Sequence, residues 1–531
     1  MTPGEHTARQ SLLQSAVLAM LIIILAGALG IYVLADRDLR VAMEFTSLAA
    51  MIDRQYSGYV DHEQLIHSAR EAMLDRLDRY CAYHGPQVRE QLDEEFSGAY
   101  GGIGITVVRN GQGLLIMSVR EGGPAAEVGL LSGDIILTAD SVSLAGLPSG
   151  ESTGLLRGPE GTDVIVDVFR PVTADTITKT VTRRKIPLLH IPYAGVTDDS
   201  VMYVRVLDFE SGATADLSDA LDSLLADTSR PARGLVLDFR GNPGGLLAEA
   251  YRTANLFLEA DQLIVGTSGR SRWNDDSYRS SGHDVTGGLP IAILVDRGSA
   301  SAAEIVAGAL QQLDRAVLVG DTTFGKGLVQ NLFGLSDGGA LRLTISRYYL
   351  EGNVFLNRFD STVHDTGSGL APDYPLAFIE RHEFPRALEN SLLLQQFANE
   401  HQEEIIEAAP TFALPDSWVD RFAEFARSHG FVFESSASEL ADLLVDLAIA
   451  EQRSPRLLRA AEDVLARAHR RDMAQYDQYA AYVKMRLRQL AYERKFGTFR
   501  TYAEVIVPEQ PDIRYAANLV KELAARRDSA P

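Results

Sequence analysis

The chain has 531 residues, of which 46% are hydrophobic and 23% are charged, so it can build several packed domains. Its formal net charge of −22, with no long basic run to offset it, argues against nucleic acid as a partner, because phosphate backbones are repelled. The single cysteine, Cys81, excludes an internal disulfide framework and any cysteine-based metal site.

The N-terminal segment from Ala16 to Ala35, AVLAMLIIILAGALGIYVLA, has no charge and is long enough to cross a bilayer as a helix. It is either a membrane anchor or a signal peptide, because the Ala-Gly-Ala triplet at residues 26–28 resembles a cleavage site. The apolar run continues past that triplet, which favours an uncleaved, single-pass anchor. One arginine precedes the segment and two follow it closely. This bias weakly disfavours an orientation in which the residues after the segment lie outside the cytoplasm, and charge alone leaves the orientation open.

Two amphipathic helices and then a β-rich module are predicted after this segment. Apolar side chains recur at helical spacing between residues 41 and 80, for example at Phe45, Leu48 and Ile52. From the stretch SGAYGGIGITVV onwards the pattern changes to short β runs joined by glycine-bearing turns, with one short helix at PAAEVG. This module has about ninety residues, a normal size for a small domain.

Strands and helices alternate between Val201 and Gly320. The predicted order is VMYVRV (strand), Ala213 to Leu225 (helix), GLVLDF (strand), RGNPGG (turn), a helix to Leu258, LPIAILV (strand), a helix from about Ser301 to Leu313, and AVLVG (strand). Such alternation predicts parallel strands joined by right-handed crossovers, and therefore an α/β core covered on both faces. Beyond Pro375 the pattern is helical to the end.

Two short motifs suggest other chemistry but lack its structural context. GDTTFGKG at residues 320–327 resembles a nucleotide-binding P-loop, yet the final Ser or Thr is missing and the following LVQNLF-GLSDGG-ALRLTIS predicts a hairpin, whereas a P-loop opens a helix. GESTG at residues 150–154 satisfies GxSxG, but the sequence before it is typical of a loop and not of a buried strand. The 11 histidines show no metal-ligand spacing such as HExxH.

The stretch ILVDRGSASAAEIVAGAL places Ser301 where a buried strand ends and a helix begins. A serine in that position is, by itself, typical of a helix N-cap. The same geometry leaves free backbone N–H groups beside the hydroxyl, and GNPGG after a neighbouring strand offers more, so the two turns can form an oxyanion hole. Sites in parallel sheets gather at the carboxyl ends of strands, where GNPGG, GSAS and TTFGKG should meet.

Lys326 is the candidate general base for Ser301. A free lysine has a pKa of about 10.4, so acting as a base near neutral pH needs a depression of about three units, roughly 4 kcal/mol. Burial against neighbours such as Phe324 and Leu328 favours the neutral amine, and Gln330 can orient it without adding a charge. Ser–Lys pairs are a known form of nucleophile activation. The alternative is a solvated surface lysine in a glycine turn.

Residues 40 to 375 resemble the C-terminal processing peptidases, or tail-specific proteases, which are membrane-associated or secreted serine endopeptidases with an embedded PDZ domain. GLVLDFRGNPGGLL, GSASAAEIVAGAL and VGDTTFGKGLVQ stand in the family's order and spacing. The resemblance implies a multidomain α/β fold in which a crotonase-like parallel-sheet peptidase core and a PDZ domain are flanked by N- and C-terminal helical regions.

The resemblance also implies roles for individual residues. Ser301 is the nucleophile, Lys326 the base, and Gln330 the third member that orients the lysine. The oxyanion donors are the amide of Ala302 and that of a glycine in NPGG, either Gly244 or Gly245. The stretch YGGIGI would bind the C-terminal carboxylate of a substrate through backbone N–H groups, while the adjacent strand edge pairs with the peptide. These binding residues are Gly101, Gly102, Ile103, Gly104 and Ile105.

The predicted organisation has five parts: an N-terminal tail and anchor (1–36), an N-terminal helical region (37–96), a PDZ domain (97–185), a serine peptidase core (186–375) and a C-terminal helical region (376–531).

The function that the resemblance implies is a membrane-anchored serine endopeptidase that recognises C-terminal tails of protein substrates through its PDZ domain. It would sit in the inner (cytoplasmic) membrane with the bulk of the chain in the periplasm or outside, because Gram-negative members of the family act in the periplasm. Expected partners are tailed protein substrates, the membrane, an adaptor protein and further copies of the chain; no cofactor or metal is expected. The alternatives are a catalytically silent PDZ scaffold and a non-proteolytic binding protein on the same core.

Overall fold

The structure is a computed structural model and describes residues 20, 36–86, 88–89, 98–171, 173–227, 230–356, 369–378, 382–408, 414–451 and 454–529. The chain divides into two compact units, Met1–Tyr83 and His84–Pro531. The apolar segment that the sequence predicts to be a membrane anchor lies outside the described residues, apart from Met20. Among the residues that are described, no helix is long and apolar enough to cross a membrane.

The first unit contains the two predicted amphipathic helices, α1 (Arg37–Gln55) and α2 (His62–Leu74). An aspartate precedes each helix, and its carboxylate accepts hydrogen bonds from first-turn amides, at 2.9 Å and 3.1 Å for Asp36 and at 3.1 Å for Asp61. These caps explain where both helices begin. A short strand, β1 (Ala82–His84), continues from the first unit into the second.

An antiparallel β domain begins the second unit and occupies the region predicted to be a PDZ domain. Its elements are β2 (Ala99–Gly102), β3 (Ile105–Asn110), β4 (Gly113–Val119), α3 (Pro124–Glu127), β5 (Ile135–Ala139), β6 (Val142–Ser143), α4 (Ser149–Leu156), β7 (Asp163–Arg170), β8 (Asp175–Thr182) and β9 (Arg184–Pro187). The main sheet has the order β3-β4-β5-β7-β8, and β2 pairs separately with β9. Strand β3 is therefore an edge strand, and it lies beside α4.

A parallel sheet forms the centre of the second unit, and a second sheet packs near it. The elements are β10 (Tyr193–Val196), β11 (Met202–Arg205), α5 (Ala213–Ala226), β12 (Leu235–Asp238), α6 (Leu247–Asn255), β13 (Ala260–Gly269), β14 (Asp276–Ser281), β15 (Ile291–Val295), α7 (Ala302–Gln312), β16 (Ala316–Gly320), β17 (Leu328–Gly334), β18 (Ala340–Leu350), β19 (Val354–Phe355) and β20 (Tyr374–Pro375). The central order is β10-β11-β12-β15-β16-β20, parallel from β11 to β20. This confirms the α/β core predicted from the alternation of strands and helices.

Strand β18 organises the second sheet. It pairs antiparallel with β13, β17 and β19, and β13 pairs in turn with β14. The pairing of β17 with β18 confirms that a hairpin follows Lys326. Because no helix begins at this lysine, the phosphate-binding geometry of a P-loop is not formed. Strands β13 and β14 were not predicted from the sequence.

The C-terminal part is helical, as predicted. Its helices are α8 (Glu383–Ser391), α9 (Leu393–Glu400), α10 (Gln402–Ala408), α11 (Ser417–Ser428), α12 (Ser436–Ala450), α13 (Pro455–Met473), α14 (Gln475–Gln478), α15 (Ala480–Thr501), α16 (Val507–Glu509) and α17 (Pro511–Asp528). Phe397, Phe422 and Leu487 belong to the core that these helices share. The segment therefore has an apolar core of its own.

Helices cover both faces of the central sheet, and they come from distant parts of the chain. Because successive strand residues point to opposite faces, Leu235 and Leu237 pack in the cluster that includes α5, α6 and α7. Val236 points the other way, into a cluster with Ile513 and Val520 of α17. The last helix thus completes the α/β core, a contact that no local sequence pattern predicts.

Candidate active site

The turn between β15 and α7 holds Ser301 in a strained backbone conformation. Its φ and ψ are 54° and −115°, a region that residues other than glycine rarely occupy. The preceding residues are anchored to the neighbouring strand: Ser299 Oγ donates to the carbonyl of Phe239 at 2.8 Å, and the Gly241 amide donates to Asp296 Oδ1 at 2.8 Å. These contacts fix the turn, so Ser301 stands where the strand ends and the helix begins, as predicted.

Glu304 connects the Ser301 turn to the Lys326 loop from inside the protein. Its side chain is 0% exposed. Oε2 accepts hydrogen bonds from the amides of Ser301 and Lys326, both at 2.9 Å. Oε1 accepts from the Gly325 amide at 2.7 Å and from the Thr323 hydroxyl at 2.5 Å. Burial raises the pKa of Glu304, and these four hydrogen bonds offset part of the rise.

Tyr348 on β18 provides a second connection between the same two segments. It is 1% exposed, and its hydroxyl lies within hydrogen-bond distance of the carbonyl oxygens of Lys326 and, at 3.2 Å, Ser301. The Tyr348 amide also donates to the Gly327 carbonyl at 3.1 Å. The second sheet therefore holds the Lys326 loop against the Ser301 turn.

The glycine-rich loop after β12 packs directly on the Ser301 turn. The amide of Ala300 donates to the carbonyl of Asn242 at 2.9 Å. A Cβ atom on Gly244 would lie 2.8 Å from Cβ of Ser301, and one on Gly245 would lie 2.4 Å from the carbonyl group of Phe209. Both positions also have positive φ, 105° and 150°. Only glycine fits at these two positions without displacement of the backbone.

Two backbone amides beside Ser301 are available to a ligand. The Gly244 amide donates to Asn242 Oδ1 at 2.9 Å and is already engaged. For the amides of Gly245 and Ala302, by contrast, no acceptor is found among the described residues. Buried amides are almost always paired, so two open ones beside a serine can receive an oxygen atom from outside the fold.

These residues line one cleft of about 560 Å³. The lining is formed by Glu210, residues 243–247, Ser301, Ala302, Ile305, Lys326, residues 328–332, Arg342 and Tyr348. The structure therefore brings together every residue predicted for catalysis and for the oxyanion hole. Lys326 and Gln330 are both partly buried there. Sequence reasoning did not anticipate Glu210 or Arg342 in this cleft.

The five residues predicted to bind a carboxylate follow one another at the edge of the β domain: Gly101, Gly102, Ile103, Gly104 and Ile105. The carbonyl of Ile103 accepts from the Ala125 amide at 3.0 Å, and that of Gly104 accepts from the Arg120 amide at 2.9 Å. Within the described ranges, the amides of Ile103 and Gly104 have no acceptor. The loop thus engages its carbonyl groups and leaves N–H groups open beside the free edge of β3.

The second serine motif has a structural role. Ser152, in the GESTG stretch, lies inside helix α4 and is 0% exposed. Its Oγ donates to the carbonyl of Pro148 at 2.8 Å, a bond within its own helix. The strand-to-helix elbow that a GxSxG nucleophile requires is therefore not formed, in line with the sequence interpretation.

A buried ionic cluster stands behind the glycine-rich loop. Asp238, at the end of β12, is 1% exposed and accepts from the Tyr203 hydroxyl at 2.7 Å. Arg205 and Arg240 both donate to it, and Arg240 also pairs with Asp512 of α17 at 2.9 Å. Burial alone would raise the pKa of Asp238, but the two guanidinium groups and the hydrogen bonds hold it well below its usual value.

Sequence reasoning missed Glu304 and Tyr348. A signal existed for Glu304, because Ser-x-x-Glu at a helix start is the capping-box pattern. For Tyr348 there was none, since its carbonyl partners lie 22 and 47 positions away in the chain.

Comparison with known families identifies two regions of the chain. The family model described as "Peptidase family S41" matches residues 200–375, and the model described as "PDZ domain" matches residues 101–182. The first match covers the parallel sheet with its cleft, and the second covers the antiparallel β domain. The protein is therefore a peptidase that carries a PDZ domain.

Comparison with individual proteins specifies the kind of peptidase more closely. The chain is 32% identical over 330 residues to the carboxy-terminal-processing protease of Bartonella bacilliformis, covering 62% of this chain and 73% of the relative. It is 37% identical over 290 residues to the carboxyl-terminal-processing protease of Synechocystis, covering 53% and 66%. The solved photosystem II D1 C-terminal processing protease is 27% identical, covering 61% and 84%, with a TM-score of 0.38. The chain belongs to the carboxy-terminal processing proteases of peptidase family S41.

Proposed function

We propose that the chain is a membrane-anchored serine endopeptidase that cleaves protein substrates through Ser301 and Lys326. One observation carries the proposal: a single cleft contains both residues, and Glu304 and Tyr348 each contact the backbone of both. The open amide of Ala302 adds the third requirement of acyl transfer, a donor for the developing oxyanion.

The proposed reaction has two halves. Ser301 Oγ attacks the carbonyl carbon of the scissile bond, and its proton passes to the neutral Lys326 amine. When the tetrahedral intermediate collapses, Lys326 returns that proton to the leaving amine, which leaves an ester on Ser301. A water molecule then attacks the ester, and its proton passes to Lys326. When this second intermediate collapses, Lys326 returns the proton to Ser301 Oγ and the carboxylic acid product departs. Gln330, on β17 in the same cleft, orients the lysine amine without adding a charge.

The oxyanion of both intermediates would accept hydrogen bonds from the amides of Ala302 and Gly245. Between the two glycines that the sequence left open, Gly245 is favoured because its amide has no acceptor in the described part of the chain. The Gly244 amide is already bonded to Asn242. We assign Gly244 a steric role, since its missing side chain lets the loop approach Ser301.

We further propose that the PDZ domain captures the C-terminal carboxylate of a protein tail. The amides of Ile103 and Gly104 are open, and the adjacent edge of β3 can pair with an extended peptide. Ile105 and Leu155 pack partly buried against the domain core on the two sides of this groove, so an apolar tail residue fits there. Binding a tail in this way selects unstructured C-termini.

Cleavage of an unfolded protein with an apolar C-terminal tail tests the catalytic assignment. With the full-length chain in detergent, we expect Ser301→Ala and Lys326→Ala each to lower kcat/KM by about a thousandfold or more. Ser152→Ala serves as the comparison, because that hydroxyl is buried and bonded within its helix. Wild-type rates in either the Ser301 or the Lys326 variant would overturn the assignment.

Amidating the tail tests the PDZ assignment separately. A substrate with a C-terminal amide lacks the carboxylate that the open loop amides would bind, so its KM should rise by at least about tenfold while kcat changes little. Equal KM values for the acid and the amide would mean that the loop does not read the C-terminus.

We also propose that residues 16–35 anchor the chain in the cytoplasmic membrane, with the remainder in the periplasm or outside. The uncharged apolar run in the sequence supports this. Removing residues 1–35 should move the protein from the membrane fraction to the soluble fraction, and protease added to spheroplasts should degrade the full-length form. We also propose an adaptor protein and further copies of the chain as partners. The exposed leucines of α12 support association between copies of the chain.

A further inference from the structure

Two buried side chains outside the proposed dyad each contact both of its members. Glu304 is 0% exposed and Tyr348 is 1% exposed. Neither was assigned a role by the reaction above. Glu304 contacts the backbone amides of Ser301 and Lys326, whereas Tyr348 contacts the carbonyl oxygens of the same two residues.

We propose that Glu304 and Tyr348 are positioning residues that together set the distance and direction between the nucleophile and the base. The inference rests on the proposed Ser301–Lys326 chemistry and adds two residues that determine its geometry. Neither side chain needs to touch the substrate; each acts through the backbone of the dyad.

The geometry explains why two contacts are needed on each residue. The amide nitrogen and the carbonyl oxygen of a residue belong to the peptide groups on either side of its Cα atom. Holding both peptide groups fixes the Cα atom and therefore the direction of the Cα–Cβ bond. Glu304 fixes the first group of Ser301 and of Lys326 by accepting from two separate N–H donors. Tyr348 holds the second group of each residue through its single hydroxyl hydrogen, which the two carbonyl oxygens share. The side chains then start from fixed points, which matters most for lysine with its four rotatable bonds.

The hydrogen-bond pattern requires Glu304 to act as an anion. Its two oxygens accept from three backbone amides and one hydroxyl, which are Ser301, Thr323, Gly325 and Lys326. All four of these lone-pair sites are then occupied, and every backbone partner is a donor only. A glutamine of the same size would direct its NH₂ group at N–H donors on one side. One of the two loops would have to move.

Tyr348 contributes through its oxygen atom alone. The hydroxyl approaches the carbonyls of Ser301 and Lys326 from β18, and the ring packs in the core of the parallel sheet. Phenylalanine keeps the ring and its burial and removes only this hydroxyl. The neighbouring Tyr349 packs against Phe355 and, as the next residue of the strand, points to the opposite face from Tyr348, so Tyr349→Phe is a matched control on the same strand.

The experiment compares Tyr348→Phe and Glu304→Gln with two controls, Tyr349→Phe and Glu249→Gln. Glu249 is also a buried helix glutamate, 5% exposed; it accepts from the Thr214 amide at 2.9 Å, pairs with Arg252 at 3.2 Å and does not line the cleft. Steady-state cleavage of the unfolded, tailed substrate is measured with the full-length chain across pH. Hydrogen exchange of the backbone amides is followed in parallel.

We expect Tyr348→Phe and Glu304→Gln to lower kcat by about 10- to 100-fold with KM within about twofold, because a displacement of about 1 Å between reacting groups costs that much. The rising limb of the pH profile should move to higher pH, because a displaced lysine side chain gains contact with water, which favours its charged form. The amides of residues 301 and 326 should exchange faster in the Glu304 variant. The controls should keep kcat and the pH profile.

Wild-type kcat and pH profile in Tyr348→Phe would overturn the proposal, and so would losses of equal size in the two controls. If Glu304→Gln fails to fold, Tyr348→Phe alone decides, because it removes one oxygen atom from a retained ring. Failure of the proposed function is recognised differently: Ser301→Ala or Lys326→Ala would then cleave at the wild-type rate, whatever the positioning variants do.

Discussion

At the scale of single residues, Gly245 makes a sharp prediction. A Cβ there would lie 2.4 Å from the carbonyl carbon and oxygen of Phe209, and φ is 150°. Gly245→Ala must displace the loop, and we expect kcat to fall by about 100- to 1,000-fold as the oxyanion loses a donor. Gly241→Ala is the matched control in the same loop: φ is also positive, at 66°, but a Cβ meets nothing within 4 Å.

An equal fall in kcat in these two alanine variants would show that backbone strain, and not the approach to Phe209, sets the need for glycine. Wild-type kcat in Gly245→Ala would remove Gly245 from the oxyanion assignment. Tail binding by the PDZ domain should be the same in both variants and serves as a folding check.

Asp238 makes a prediction about stability and pH. Removing its charge leaves Arg205 and Arg240 buried without their partner, so Asp238→Asn should lower the free energy of unfolding by about 3 to 5 kcal/mol at pH 7. The pKa of the folded state lies below the ordinary aspartate value of about 3.9. This stabilisation is therefore complete above that value and is lost as the pH falls through the folded pKa.

Urea unfolding at several pH values measures both effects. The wild type should lose stability on acidification below about pH 4, and the Asp238→Asn variant should lose less over the same range. Asp199→Asn is the control. The Asp199 side chain is 58% exposed, so its ion pair with Lys521 should contribute less than about 1 kcal/mol to the free energy of unfolding. A steep acid dependence that persists in Asp238→Asn would assign the effect to other groups.

At the scale of elements, the sequence predicted the strands, helices and turns that local sequence patterns determine. The turn into α7 and the hairpin after Lys326 follow from a buried strand, small residues and a Gly-rich turn, all within a few positions. The shared cleft followed from the rule that sites gather at the carboxyl ends of parallel strands. The positions of Tyr348 and of helix α17 were not predictable in this way, because their contacts join residues far apart in sequence.

Helix α12 carries the most apolar exposed surface among the described C-terminal helices and yields a prediction about assembly. Leu440, Leu443, Leu444 and Leu447 are 62%, 54%, 53% and 47% exposed, at i, i+3, i+4 and i+7 spacing. A stripe of this kind usually marks an interface. We expect a second copy of the chain to cover it, so that Leu443→Lys with Leu447→Lys shifts the mass in sedimentation towards the monomer.

Asp442→Asn with Asp446→Asn is the matched control for the two lysines. It makes the net charge more positive by the same amount at two exposed positions of α12 that lie off the leucine stripe, so the mass should stay unchanged. An unchanged mass in the double leucine variant would exclude this stripe as the self-association surface. Loss of association in both variants would point to charge and not to the apolar contact.

At the scale of the whole second unit, the C-terminal helices hold the PDZ domain. The turn after α3 packs on α9 and α15: Gln395 Nε2 of α9 lies 3.5 Å from Ser132 Oγ, and a Cβ on Gly133 would lie 3.2 Å from Arg494 Nη1 of α15. A Cβ on Gly133 would lie 2.2 Å from Asn399 Nδ2. We therefore expect the helical region to determine where a tail, bound as proposed above, is presented relative to the cleft.

Gly133→Ala tests this arrangement, because its methyl group would clash with the buried Asn399 side chain of α9, so that side chain or the PDZ turn must shift. Cleavage of a tailed protein should become about tenfold less efficient in kcat/KM, while a short peptide that bypasses the PDZ domain is cleaved as before. Gly129→Ala is the control: φ is 79°, close to the 88° of Gly133, but its Cβ meets nothing within 4 Å. Equal kcat/KM values for the tailed protein in the two variants would contradict this arrangement. The helices would then support the PDZ domain without setting its position, and substrate delivery would depend on the PDZ groove alone.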